Sequence, residues 1–278
     1  GIAIIALQRH VGRAAQGLAQ MKQAFSWLSI APAFSNFIGP FMAGLLIDHA
    51  GFQWAFAAMA ALPLIAWLWI RQAHELPKVI KPEGHENNSA WDLLNEPMFR
   101  RLLMVNWFLS ACWDVHTFVV PILGHERGLS ASAIGSILGV FALAAAFIRM
   151  MMPFIAARLH EWQVVTGAML ITSFMLAVYP FTETAWLMGA CSVLVGLSLG
   201  GVQPMIMSTL HQITPEHRHG EALGLRLMGI NASSVLMPMV FGAAGTVIGI
   251  SGVFWCVSAV VGLGSRSAYQ LRVHKKHG

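Results

Sequence analysis

Leu102-Leu-Met-Val-Asn-Trp-Phe-Leu-Ser-Ala-Cys-Trp-Asp-Val-His-Thr-Phe-Val-Val-Pro-Ile-Leu-Gly124 carries one carboxylate, Asp114, near the middle of a largely apolar run. A helix needs about 20 predominantly apolar residues to cross a hydrocarbon core of about 30 Å, and this run has that length. It reads as a membrane span with an ionisable group at mid-depth. Stretches of the same kind recur at about 24–47, 54–70, 132–157, 164–181, 185–207, 221–248 and 250–265. Together they make eight complete spans and predict an all-α polytopic membrane protein.

The composition agrees with that reading. The 278 residues are 56% apolar and 10% charged, whereas a soluble domain carries roughly 25% charged residues. A mean hydropathy of +0.64 and 26 glycines suit closely packed membrane helices. Disordered and disulfide-rich secreted classes are excluded. Cys112, Cys191 and Cys256 each lie inside an apolar run and read as small core residues, so redox chemistry and a cysteine-based metal site are not expected.

The opening Gly1-Ile-Ala-Ile-Ile-Ala-Leu7 is too short to span and lacks the pattern of a secretory signal. It reads as the tail of a span, so further helices are expected before it. The long separator after residue 70 contains Pro77, Pro82, Asn87 and Asn88 and reads as a linker between two halves, with a short surface helix near Trp91 to Leu94. Sixteen of the 17 Lys and Arg fall in alternate loops, and Arg127 alone falls on the opposite side. Loops rich in Lys and Arg stay in the cytoplasm, which predicts an inner (plasma) membrane protein with a cytoplasmic C-terminus. The pI near 9.5 does not indicate nucleic acid, because the basic residues are scattered over five loops without interleaved aromatics.

Polar residues divide the spans into two kinds. Those at 54–70, 164–181 and 250–265 contain no Asp, Glu, Asn, Gln, His, Lys or Arg and read as outer, lipid-facing helices. The others carry Asn36, then Asn106, Asp114 and His116, then Arg149, then Gln203, then Arg226 and Asn231, and surround the expected pathway. Helical spacing sets Trp107, Ser110, Ala111, Thr117 and Phe118 on the face of Asp114, with His116 pointing elsewhere. Asp114 is the candidate protonation site and Trp107 the candidate aromatic wall. Arg149 and Arg226 lie near cytoplasmic span ends, where a long side chain can reach the interface or instead lock a gate or bind an anion. Gln203, Asn106 and Asn231 suit interhelical hydrogen bonds or substrate contact. His211, His217 and His219 lie in a turn-rich loop with Pro215 and lack a ligand cage, so no metal or cofactor is expected.

Ser26, then Ser35-Asn-Phe-Ile-Gly39-Pro40-Phe-Met-Ala43-Gly44, then Asp48-His-Ala-Gly51-Phe-Gln-Trp54 resembles the fifth-helix antiporter motif of the major facilitator superfamily. Gly39, Pro40 and Gly44 match that pattern, while Ser26, Ser35 and Ala43 stand where it prefers glycine and keep the positions small. The resemblance covers the whole chain and implies helices four to twelve of a twelve-helix bundle. Residues 1–72 would be the rest of the first half, with the tail of helix four and helices five and six. Residues 73–101 would be the cytoplasmic linker, and residues 102–278 the six-helix second half. The second-half gating motif of the family falls at Pro153 to His160, where only Arg158 matches. Gly39 is the expected point of close helix approach, and Gly51 a loop residue.

The resemblance implies a transporter and not an enzyme, moving a small molecule by alternating access around a midplane site. The preferred function is proton-coupled efflux of hydrophobic or amphipathic compounds, and the full-length protein is expected to be monomeric within its bilayer. A metabolite or organic-anion transporter using Arg149 or Arg226 is the alternative within the class. A non-transporting scaffold or receptor is the alternative outside it.

Overall fold

Pro97 opens a 30-residue helix at a position where its missing N–H costs nothing, and that helix runs unbroken to Glu126. The computed structural model describes residues 35–71, 90–156, 159–215 and 218–272. In chain order these form α1 (residues 35–50), α2 (Phe52–Ile70), a short 3₁₀ turn (Ala90–Asn95), α3 (Pro97–Glu126), α4 (Ala131–Ala156), α5 (Glu161–Val178), a second 3₁₀ turn (Tyr179–Phe181), α6 (Ala185–Gly200), α7 (Val202–Ile213) and α8 (His219–Tyr269). No strand occurs among the described residues. Six helical segments there are long and apolar enough to cross a membrane, so the fold is an all-α helical membrane bundle.

Breaks fall where backbone chemistry allows them. Gly51, at φ 83°, separates α1 from α2, a left-handed conformation that glycine adopts freely. Gly249, at φ 73° and ψ 165°, divides α8 into two rods, at the boundary expected between 221–248 and 250–265. The span expected at 185–207 is interrupted at Gly201, between α6 and α7. The expected surface helix of the linker is the 3₁₀ turn Ala90–Asn95, and the linker's last residues, 97–101, already belong to α3; residues 73–89 lie outside the described residues.

Helix α4 is the seam of the molecule. A Cβ built on Gly196 or Gly200 of α6 would lie 2.5 Å from the Phe141 carbonyl oxygen or 2.4 Å from that of Ala145, so the Gly196/Gly200 pair lets α6 pack backbone to backbone on α4. On its other side α4 meets α1: a Cβ on Gly44 would lie 2.4 Å from the Ala131 carbonyl oxygen, and one on Gly135 equally close to that of Pro40. The close approach therefore falls at Gly44. Gly39 has nothing within 4 Å of its Cβ position among the described residues, because it lies about 140° around the helix from Gly44. Phe37, Pro40, Gly44 and Asp48 share the contact face.

Asp48 completes this seam. Its Oδ1 accepts the Ala131 amide at 3.0 Å and its Oδ2 the Ser132 amide at 2.8 Å, and the Ser132 hydroxyl also donates to Oδ2. These are orphan donors at the start of α4, where a carboxylate is favoured by both capping and the helix dipole. The Ser132 hydroxyl and amide hold the exposed Asp48 carboxyl below its usual range. The stabilisation from the cap is therefore complete above the usual carboxylate range and is lost as pH falls through the lowered value beneath it.

The helices without polar residues lie outside. Trp54, Phe56 and Trp69 of α2 are exposed, as are Leu170, Ile171 and Phe174 of α5, a distribution that hydrocarbon accommodates and water does not. Cys112 and Cys191 are buried, whereas Cys256 is exposed on the second rod of α8, so Cys256 is not a core residue.

Candidate functional site

Helix α3 packs against α8 and α4 against α6, and the concave face they share with α7 forms a cavity of about 240 Å³. Its α3 wall is Asn106, Leu109, Ser110, Trp113 and Asp114, a stripe at spacings of three and four. Arg149 enters from α4, Gln203 and Ile206 from α7, and Ile230 and Ser234 from α8. Neither α2, α5 nor the second rod of α8 contributes a lining residue. The spans without polar residues and the spans around the cavity are thus different helices.

Asp114 is 8% exposed. Ser233 donates to its Oδ2 at 2.7 Å and Ser234 to its Oδ1 at 3.4 Å, and no cation lies within ion-pair distance among the described residues. Hydroxyls donate to a carboxylate and accept from a carboxylic acid, so this setting can satisfy both protonation states. His116 turns the other way, as expected, with Nε2 at 2.9 Å from the Ser192 hydroxyl and its ring stacked on Phe141.

Arg226 departs from the snorkelling expected of a residue near a span end. It is 5% exposed and turns inward, where Nε donates to Asn106 Oδ1 at 3.1 Å and Nη2 to Gln203 Oε1. Burial of a guanidinium demands hydrogen-bond partners, and two amides from α3 and α7 supply them, tying three helices together. Arg149 is exposed at the cavity wall, with Nε donating to the Gly200 carbonyl oxygen at 3.2 Å and its guanidinium 5.9 Å from the Trp113 ring centroid. The break after Gly200 leaves carbonyls at the end of α6 without intrahelical donors, which makes this one available.

The remaining expectations divide. Trp107 does not line the cavity; Trp113 does. Asp114 sits at the margin of the stripe with its far side against α8, so its neighbour seven residues back falls past the edge. Asn231 is exposed and donates to the Leu227 carbonyl oxygen of its own helix at 2.8 Å, so it makes no interhelical bond among the described residues. Asn36 and Ser35 are exposed on α1, and Ala43 beside Gly44 is half-buried. Ser26, Arg158 and His217 lie outside the described residues. Sequence reasoning missed Trp113, Ser233, Ser234 and Asp48; only Asp48 had a signal, as a carboxylate four residues beyond Gly44 on the same helical face.

The family model described as Major Facilitator Superfamily matches residues 1–238. No curated protein matches the chain.

Proposed function

The chain belongs to the major facilitator superfamily, and we propose on that premise that it performs proton-coupled efflux of small hydrophobic or amphipathic compounds by alternating access. Family members are transporters and not enzymes, and this chain is a multi-pass membrane protein whose substrates are small molecules. The observation that carries the proton coupling is Asp114: a carboxylate inside the cavity, without a cationic partner among the described residues, held by hydroxyls that serve either protonation state. An intramembrane ionisable residue in a cavity is the usual carrier of a coupled proton. The apolar part of the lining, with Trp113, Leu109 and Ile206, suits a substrate with an apolar body. The α1–α4 seam supports alternating access, because a small-residue contact is a surface on which one bundle can rock against another.

The test is solute flux in vesicles containing the protein, with an imposed pH gradient and a panel of benzoate, benzamide and benzylamine. Flux that follows the gradient supports the reading, and absence of any gradient-dependent flux removes the proton from it and leaves room for a scaffold or receptor.

The Lys and Arg asymmetry supports an orientation with the C-terminus in the cytoplasm of a cell whose inner membrane holds the protein. A cysteine at Glu126 is then expected to react with an impermeant thiol reagent added outside intact cells, and one at Arg100 only after permeabilisation. External labelling at Arg100 would reverse the orientation.

A further inference from the structure

We propose that the cavity binds a small organic anion, with Arg149 as its charge partner, and that this anion and the proton on Asp114 are carried together. The proposal rests on the assignment of Asp114 as the proton carrier and names the substrate class of that same cavity.

Charges and hydrogen-bond donors around the cavity outnumber their protein partners. Arg226 is a buried guanidinium whose partners are two neutral amide oxygens. Buried charges are normally paired with an opposite charge, and among the described residues the one ion pair is Arg218 with Glu221, at the first turn of α8. Arg149, exposed at the cavity wall, also has no carboxylate within ion-pair distance there, and its one hydrogen bond runs from Nε to a carbonyl. Both of its Nη groups are left for a ligand, in the forked geometry that suits a carboxylate. The amides add to this. Arg226 takes the oxygens of Asn106 and Gln203, so what these two side chains can offer the cavity is their NH₂ donors. The lone acidic group of the lining, Asp114, already accepts from two serines. A cavity that offers donors and an excess of positive charge selects an acceptor-rich anion.

Size and wall chemistry narrow the class. About 240 Å³ lies below the usual range for ligand pockets, so the anion is compact. The Trp113 ring beside Arg149 and the aliphatic side chains of α3 and α7 suit an apolar body attached to the charged end.

The coupling follows from sharing the space. Of the charged and titratable groups, Arg149 from α4 shares the cavity wall with Asp114 and Cys112, fully buried, lies on its own helix; Arg226 from α8 stands behind Asn106 and the neutral Gln203 of α7 and does not line the cavity. A substrate anion is repelled by ionised Asp114 and not by the protonated acid, so each ligand strengthens binding of the other. Proton and anion then travel in the same direction. Under this coupling efflux is driven by an outward anion gradient and carries the proton out with the anion, whereas an inward proton gradient drives uptake, which departs from the exchange that the small-residue stripe of α1 implies by resemblance.

A cysteine reporter tests the site whatever the identity of the substrate. Ser110→Cys in a Cys256→Ala background places a thiol in the cavity, while Cys112 and Cys191 stay buried. Its rates with anionic 2-sulfonatoethyl and cationic 2-trimethylammonioethyl methanethiosulfonate are measured on the full chain in detergent, each normalised to a free thiol at the same pH. The anionic reagent is expected to be favoured about ten-fold or more, the scale on which a charged cleft concentrates its counter-ion. That preference should shrink in Arg149→Gln, grow as the medium is acidified, and lose its pH dependence in Asp114→Asn. A preference for the cationic reagent, equal rates, or no reaction with either would overturn the proposal. Gradient-driven flux depending on Asp114 together with a cationic preference would sink the anion site and leave proton coupling standing; anionic preference without gradient-driven flux would do the reverse.

Discussion

Asp114→Asn is expected to abolish proton-driven accumulation, reducing it to the level of empty vesicles, while the protein still inserts and folds. Asparagine keeps the size of the side chain and can still accept the Ser233 hydroxyl bond made at 2.7 Å, and a neutral group is cheaper than a carboxylate at this depth. What it removes is the titratable proton. Because the amide resembles the protonated acid in charge, solute exchange at equal pH should persist when gradient-driven uptake is gone. Asp114→Glu should retain part of the coupled flux, since it keeps the proton with displaced geometry. Flux assays in pH-clamped vesicles, paired with a thermal melt of the purified variant, separate the outcomes: unchanged coupled flux would make Asp114 structural, and a collapsed melt would make the loss one of folding.

Gly44→Leu is expected to damage the protein far more than Gly39→Leu. At Gly44 the first added carbon would already lie 2.4 Å from the Ala131 carbonyl oxygen and 2.9 Å from its carbon. Backbone cannot rotate out of the way as a side chain can, so α1 and α4 must separate. Overpacking typically costs about 1–3 kcal/mol and occasionally more, and separation would also pull Asp48 from the start of α4, losing the Ala131 and Ser132 contacts. At Gly39 the same substitution meets open space among the described residues and should leave the seam unchanged. The measurement is the melting temperature of each variant with its transport rate. Equal, mild effects would show that α1 and α4 do not approach as closely as the glycine contacts require.

Some of this was legible along the chain. Low charge, repeated runs of spanning length and one-sided Lys and Arg led to an all-helical membrane bundle, since a hydrocarbon solvent constrains every span alike and leaves its mark in composition. Asp114 stood out for the same reason, a carboxylate being costly at mid-depth, and it does line the cavity. The bare spans did stay away from the cavity, because lipid contact penalises polarity whatever the packing, but α1, expected around the pathway for Asn36, contributes no lining residue.

Residue-level assignments fared differently wherever two helices had to be known at once. Helical periodicity gives directions about one helix's own axis, so it could put Trp107 beside Asp114 but not reveal that Asp114 lies at the edge of the stripe, with Trp113 inside the cavity and Trp107 outside it. It marked α1 as a small-residue helix but could not choose between Gly39 and Gly44, which face opposite ways until α4 supplies a neighbour. It set Arg226 near an interface, where a long side chain reaches water at little cost, whereas Asn106 and Gln203, 120 and 23 residues away in the chain, offered oxygens that drew it inward. Span content is written in local composition because the bilayer acts on each segment separately, but which side chains share a cavity depends on crossings between segments, and those are decided only when the helices pack.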